Sequence, residues 1–277
     1  MISIITAVYN QLPINRLFVA SLESYSRLPY ELIIIDNGST DGSAEFFESK
    51  GAKVIRNSVN YSYPYTQNQG IAAAAFDYFA FLNNDIIVAP GWDQGLIAAM
   101  HVHRLDLVCP AAIERAESEA ATKRFRRQWK WIKGLTKGLG VGEAALKFRH
   151  RLMYGNWERF CAKRRNLFGN EILEGFSGHS IVCSRRAIDL LGWWDERIQA
   201  ADFDLYLRSK ERHLNAGDIQ PIHIVLGVFH HHFERLTQKS RPPAFADKDN
   251  LIKLEDKWPA AEMNSLLADV RAFKGAK

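Results

Sequence analysis

With 277 residues, 47% of them hydrophobic and 24% charged, the chain can bury a full core, and its length fits one large domain or one domain with an appendage. The net charge of +5 and pI near 9.0 are mild overall, and three widely separated cysteines, Cys109, Cys161 and Cys183, suggest neither a disulfide framework nor a zinc knuckle and favour a reducing, cytoplasmic setting. No apolar run approaches the roughly 20 residues of a spanning helix, and Met1 to Thr6 reads as a strand rather than a signal peptide, since no basic region precedes its apolar residues.

The β-branched run Ile2 to Val8 predicts a strand ending at Tyr9-Asn10, then a helix in which Leu17, Ala20, Ser21 and Ser24 share a face. Glu31 to Asp36 is a second strand, continuously apolar as a doubly covered strand should be, stopping at Asp36-Asn37-Gly38-Ser39-Thr40-Asp41-Gly42. Ser39 or Thr40 would cap a short helix through Phe46 and Phe47. Ala52 to Ile55 is a third strand, and Gln67 to Tyr78 a helix leading into the next. A helix from Trp92 to Met100 and a strand from Leu105 to Cys109 follow. Strands and helices alternating at this spacing predict an α/β fold of parallel βαβ units that binds ligands at its strand ends.

Phe79-Ala80-Phe81-Leu82-Asn83-Asn84-Asp85-Ile86-Ile87-Val88 organises the rest: an apolar strand delivers two amides and a carboxylate to a corner and then resumes. One carboxylate flanked by amide oxygens suits a magnesium or manganese ion whose remaining ligands come from a diphosphate. An Asn-Asn-Asp hairpin turn would use the same residues.

The alternation breaks at about Arg115 and returns near Asn170. Between them, Lys123 to Lys133, Lys147 to Arg151, and Arg159 with Lys163 to Arg165 interleave basic residues with Trp and Phe. A solvated helical face, an anionic membrane surface contacted through residues 123–165, and a nucleic-acid surface all fit that pattern. Nucleic acid is disfavoured because no recognition motif accompanies the charge.

A glycine-containing strand from Glu174 to Cys183 and a helix from Arg185 to Leu191 come next. A further helix begins near Asp202, whose carboxylate would sit by the positive helix end. Ile219 to Phe229 ends in His230-His231-His232, and strand alternation puts His230 and His232 on one face. The expected organisation is a main domain over 1–241 with a basic helical insertion at about 115–169, and a peripheral helical tail over 242–277.

Taken in order, Ile4 to Asn10, Ile33 to Gly42, Asn68-Gln69-Gly70, Leu82 to Asp85, Gly192-Trp193-Trp194-Asp195-Glu196 and Ala201 to Leu205 resemble the inverting glycosyltransferases of family 2. The resemblance runs from Ile2 to Cys109 and from Glu174 to about His232. It implies a GT-A fold, a mixed, mostly parallel sheet with helices on both faces. It also implies a nucleoside-diphosphate sugar donor, UDP- or dTDP-linked, contacted by Thr6, Ala7, Tyr9, Asp36, Asn68, Asn83 and Asn84.

The same resemblance implies a divalent cofactor, manganese or magnesium, on Asp85 and a histidine, His230 in its Val228-Phe229-His230 context. Asp202 would be the catalytic base, with Asp204 as fallback, and Glu174, His179 and Asp204 would face acceptor or sugar. Asn83 stands where the family's metal motif has its first Asp, and Ala201 replaces the usual Glu. Asp36 and Asp202 could also serve as turn and cap residues, and His179 as a core polar group. The acceptor implied is a saccharide or lipid-linked saccharide, in cell-surface polysaccharide or lipopolysaccharide assembly at the inner membrane face. Against this stand an inactive binding module and a nucleotidyltransferase, the latter lacking its glycine-rich basic loop.

Overall fold

The computed structural model describes residues 1–234, 236, 242–268 and 270. Its first half alternates β1 (Ile2–Val8), α1 (Leu12–Tyr25), β2 (Tyr30–Asp36), α2 (Ser43–Ser49), β3 (Lys53–Arg56), α3 (Tyr63–Ala73) and β4 (Tyr78–Leu82). The four strands are parallel, in the spatial order β3-β2-β1-β4. Because β1 to β2 steps one way and β3 to β4 the other, right-handed crossovers set α1 and α3 on opposite faces. Coverage on both faces explains why Ile4, Ile5, Ile33, Ile34 and Ile35 are all fully buried. Gly70 lets α3 lie close: a methyl there would overlap Ile5 and stand 3.2 Å from Cδ1 of Ile35.

The chain continues through β5 (Ile86–Ile87), α4 (Trp92–His103), β6 (Leu107–Ala111), α5 (Glu119–Leu135), α6 (Glu143–Tyr154), α7 (Trp157–Phe168), β7 (Ile172–Glu174) and β8 (Ser180–Ser184). After these come α8 (Arg185–Leu191), α9 (Ala201–Ala216), β9 (His223–Phe229), β10 (His231–His232), α10 (Leu254–Lys257) and α11 (Ala260–Leu266). The eight-stranded sheet has the order β3-β2-β1-β4-β8-β6-β9-β7, with β8 and β7 antiparallel to their neighbours. This is a mixed, mostly parallel α/β sheet. A two-stranded ribbon of β5 with β10 pairs His232 with Ile86 and His231 with Ile87, bringing the three histidines beside the Asn83-Asn84-Asp85 corner.

Between β6 and β7 the chain is helical. In α5, Ala121, Phe125, Trp129 and Ile132 form the buried stripe, at the spacing of one helix face. Ser118 caps α5 by accepting from the Ala121 amide, and Asn156 caps α7 by accepting from Arg159.

Several elements differ from expectation. The buried face of α1 is Ile14, Leu17, Phe18, Ser21 and Leu22, while Ala20 and Ser24 are exposed, the larger apolar side chains having taken the core. Neither Ser39 nor Thr40 caps α2, which starts at Ser43 behind Gly42 at φ 84°. Instead Ser39 Oγ accepts from the Asn10 amide, and the Thr40 amide donates to Asn10 Oδ1. Helix α3 begins earlier, with a proline in its first turn, and ends at Ala73, so Tyr78 belongs to β4. The strand expected from Glu174 to Cys183 is two, β7 and β8, parted by a loop that starts at Gly175, φ 132°. The tail is only partly peripheral, since Trp258 is buried against Leu207 and Leu266. Residue 241, where the main domain was expected to end, lies outside the described residues.

Candidate active site

Strand ends β1 and β2 lie side by side, Val8 opposite Asp36. Asp36 Oδ1 accepts from the amides of Gly38 (3.0 Å) and Ser39 (2.8 Å), while its Oδ2 is buried without a partner. Thr6 Oγ1 and both polar atoms of the Gln67 side chain are in the same condition. Buried polar groups are rarely left unsatisfied, so these atoms hold hydrogen-bonding capacity at the strand edge, where Ala7 and Tyr9 are half-buried. No motif marks Gln67 in the sequence; only its place beside Asn68 could have drawn attention to it.

At the end of β4 the Asn83 amide donates to the His179 carbonyl (2.9 Å). Asn84, expected at the donor, braces a neighbour in this structure. Its Nδ2 donates to Asn15 Oδ1 (2.7 Å), and Asn15 in turn donates to the Asn10 carbonyl and Ser43 Oγ.

Asp85 faces the ribbon of β5 and β10. Its Oδ1 lies 3.0 Å from His232 Nε2, its Oδ2 accepts from the Leu236 amide (3.3 Å), and the other nitrogen of His232 is bonded to Glu114. Burial disfavours charge on His232, but the two carboxylates outweigh it and hold its pKa well above the ordinary value. Burial raises Asp85 and Glu114 in turn, and His232 brings both below the usual carboxylate range. His179 stacks on His232 at 5.2 Å between ring centres. Its Nδ1 meets Ser177 Oγ (2.9 Å), its Nε2 is unpartnered, and burial lowers its pKa to about 3, so the ring is neutral.

One ligand atom from each of Glu114, His179 and His232 lies within 4.8 Å of the others. With Asp85, this is a mixed carboxylate and imidazole set, and the buried, unpartnered Nε2 of His179 and Oε2 of Glu114 give it spare donor atoms. Such a set fits manganese and accepts magnesium less readily, because imidazole is the softer ligand. His230, expected on the metal, stacks instead edge-on against Trp92 at 5.6 Å with both ring nitrogens unpartnered. The pairing of β10 with β5 gives Asp85 to His232. Glu114, in a loop after β6, carries no sequence signal.

Asp202 is the second residue of α9. Its Oδ1 is buried and unpartnered, and burial raises its pKa to about 7. Its carboxylate lies against Gly178, where a methyl group would overlap Oδ2, and its charge helps raise the buried Tyr63 hydroxyl. Gly178 is followed by His179, whose carbonyl holds Asn83 and whose ring covers His232. Asp202 thus lies against the neighbour of His179, and His179 stacks on His232, which pairs with Asp85.

Three expected site residues are committed elsewhere. Asn68 clamps the loop after α8, donating to the Trp194 carbonyl and Glu196 (both 2.9 Å) and accepting from the Trp194 amide (3.0 Å). Glu174 accepts from the Tyr206 hydroxyl (2.8 Å) and pairs with the buried Lys210 (2.8 Å), joining β7 to α9. Asp204 is fully buried and holds Arg208 (2.8 Å), Lys257 (2.7 Å) and Trp258 Nε1 (2.8 Å), fastening the tail to α9. All three side chains, expected at donor, acceptor or sugar, thus have protein partners in this structure.

The family model described as Glycosyl transferase family 2 matches residues 3–192, stopping short of Asp202 and of His230, His231 and His232. Among solved structures, the chain is similar to a mannosyltransferase, PcManGT, from Pyrobaculum calidifontis, in complex with GDP-Man and Mn2+. The identity is 11% and the TM-score 0.55, over 87% of this chain and 59% of that one. It is also similar to residues 1–349 of S. aureus TarS in complex with UDP, with 14% identity and TM-score 0.52, over 83% of this chain and 60% of that one. The chain thus spans about three fifths of either structure, and at these identities the likeness is one of fold. No curated protein sequence matches it.

Proposed function

The chain belongs to glycosyl transferase family 2, and from that premise we propose that it moves a sugar from a nucleoside-diphosphate donor to an acceptor hydroxyl with inversion. The observation that carries this reading is the Asp202 carboxylate. Its Oδ1 is buried without a partner, burial raises its pKa to about 7, and it is set against Gly178, the neighbour of His179. A base of that pKa is half-ionised near neutral pH and still strong enough to take a hydroxyl proton as the bond to sugar forms.

In the proposed step the acceptor O–H gives its proton to Asp202, and the acceptor oxygen bonds to the anomeric carbon. The bond from that carbon to the donor phosphate breaks on the opposite face, and the nucleoside diphosphate leaves with the electron pair. A single in-line displacement of this kind inverts the anomeric centre and needs one carboxylate. Asp85, His179 and Glu114, with His232 once it gives up its ring proton, would hold a divalent cation, manganese in preference to magnesium, and that ion when bound neutralises charge on the leaving diphosphate. The unpartnered atoms of Thr6, Asp36 and Gln67 would meet the nucleoside, with Ala7 and Tyr9 lining its base and Asn83 near ribose or diphosphate. UDP or dTDP is the proposed leaving group, in line with the UDP bound by TarS.

The acceptor proposed is a saccharide, free or lipid-linked, in cell-surface glycan assembly on the cytoplasmic side of a membrane. The three cysteines are free and buried, which suits a reducing compartment. Among the described residues no helix is long and apolar enough to cross a membrane. Incubation with nucleoside-diphosphate sugars and manganese, followed by NMR of the first-formed product, tests this reading. A β-linked or β-configured product from an α-linked donor supports it. Retained configuration, or no nucleoside diphosphate released from any donor, overturns it in favour of a retaining enzyme or an inactive binding module.

A further inference from the structure

Residues 119–168 carry fourteen Lys and Arg against three Glu, whereas the whole chain nets +5, so everything outside this segment is net negative. Part of that charge has a structural use. Arg149 is buried and bonded to Thr136, Arg164 pairs with Glu117, and Lys133 pairs with Glu234. By contrast Lys123, Arg124, Arg126, Arg127 and Lys130 of α5, and Arg151 of α6, have no acidic partner among the described residues.

The same helices expose large apolar side chains. Trp131 and Leu135 of α5 are each 66% exposed, Leu139 in the connecting turn 54%, and Phe148 and Leu152 of α6 47% and 40%. On α5, Arg124, Arg127, Trp131 and Leu135 follow at three- and four-residue steps, so charge and apolar bulk share one solvent-facing stripe. Aromatic and basic residues together would also suit single-stranded nucleic acid. Exposed leucines do not, having neither charge for phosphate nor a ring for a base. A bilayer interface uses all three, the leucines and rings entering the headgroup boundary and the cations meeting anionic lipid.

We propose that the solvent side of the hairpin formed by α5 and α6 docks on an anionic lipid bilayer. The inner side of the hairpin is fixed to the candidate site. Trp129 meets the His231 ring at 4.7 Å, and the Tyr154 hydroxyl lies 3.0 Å from His231 Nδ1, one residue from His232. Docking therefore brings the strand that carries His231 and His232 close to the lipid surface, where an acceptor carried on a lipid would be found. Its purpose rests on the transferase reading, but lipid binding itself can be measured without it.

The test is flotation of the full chain with vesicles of phosphatidylcholine alone or with about one third phosphatidylglycerol. Binding is expected to the anionic vesicles only and to weaken in high salt, as a screened attraction must. Trp131→Ser with Leu135→Ser, both at exposed positions, is expected to cut the bound fraction about tenfold, and Arg127→Glu with Lys130→Glu at least as much. Both variants should keep wild-type nucleoside diphosphate release with a water-soluble acceptor, so a failed transferase reading and a failed docking proposal give different results. No flotation with anionic vesicles, or flotation indifferent to both variants, overturns the proposal. So does loss of exposed Trp131 and Leu135 in a dimer of the chain, seen by sedimentation as a dimer that the double Ser variant dissolves.

Discussion

Gly178 and Asp202 sit so close that a methyl group on the glycine would overlap Oδ2 of the aspartate and stand 3.2 Å from its carboxylate carbon. Gly178 is not in the positive-φ region, so alanine is tolerated by the backbone and the clash falls on the carboxylate alone. Gly178→Ala is therefore expected to fold normally and bind donor like the wild type while losing about 100-fold or more in transfer rate, the usual worth of a positioned base. Stopped assays of transfer beside calorimetry of nucleotide binding check this. A variant with full activity would show that Asp202 need not occupy its present place.

The raised pKa of Asp202, about 7, fixes the pH dependence. Only the ionised carboxylate can take a proton, so the transfer rate should climb roughly tenfold per pH unit below 7 and level off above it. The stability effect has the opposite sign. The group's folded pKa lies above its unfolded value, and the cost is that of ionising a buried carboxyl. It is absent below about pH 4, grows between pH 4 and 7, and reaches at most about 4 kcal/mol above that. Asp202→Asn should thus raise the melting temperature at pH 8 and leave it unchanged at pH 4. Equal melting temperatures at pH 8 would mean that the carboxyl is not desolvated.

His232 and His230 separate by their partners. His232→Ala leaves Asp85 and Glu114 facing each other, buried and unpaired, and is expected to cost about 3 kcal/mol in urea unfolding. It should also abolish the rise in melting temperature on adding manganese. His230→Leu, which removes no hydrogen bond, should keep that rise. If the manganese effect is instead lost with His230→Leu and kept with His232→Ala, the cation belongs to His230.

Asn68 predicts a loss of stability without a loss of donor affinity. Asn68→Ala removes three hydrogen bonds to the Trp194 loop and is expected to cost about 2–3 kcal/mol. Nucleotide binding should stay within about threefold of wild type. A variant that unfolds like the wild type but binds nucleotide tenfold more weakly would return Asn68 to the donor site.

These contrasts show what the sequence could carry. Ile33 to Asp36 announces a buried strand and its terminal carboxylate because a doubly covered strand must be apolar until it meets the cleft. Asp202 is visible through the family resemblance, since a carboxylate opening a helix is common and only its place after the tryptophan-rich turn singles it out. Asn68, Asn84, Glu174 and Asp204 show hydrogen bonds within the protein that the sequence could not announce, for a common reason. Each is a polar residue in a motif, and whether its hydrogen bonds go to a ligand or to a neighbour such as Trp194, Asn15, Lys210 or Trp258 depends on packing between distant segments. The choice between His230 and His232 turned on the register of β10 against β5, a pairing of two short strands that no local pattern specifies. Glu114 was invisible because it lies in an irregular loop with no motif.

The most direct measurement compares wild type with Asp202→Asn, using the best donor found with manganese, for both donor affinity and nucleoside diphosphate release in the presence of acceptor. If Asp202 is the base, affinity stays within about threefold and release falls by at least about 100-fold. Undiminished release by Asp202→Asn would contradict the mechanism proposed for this chain.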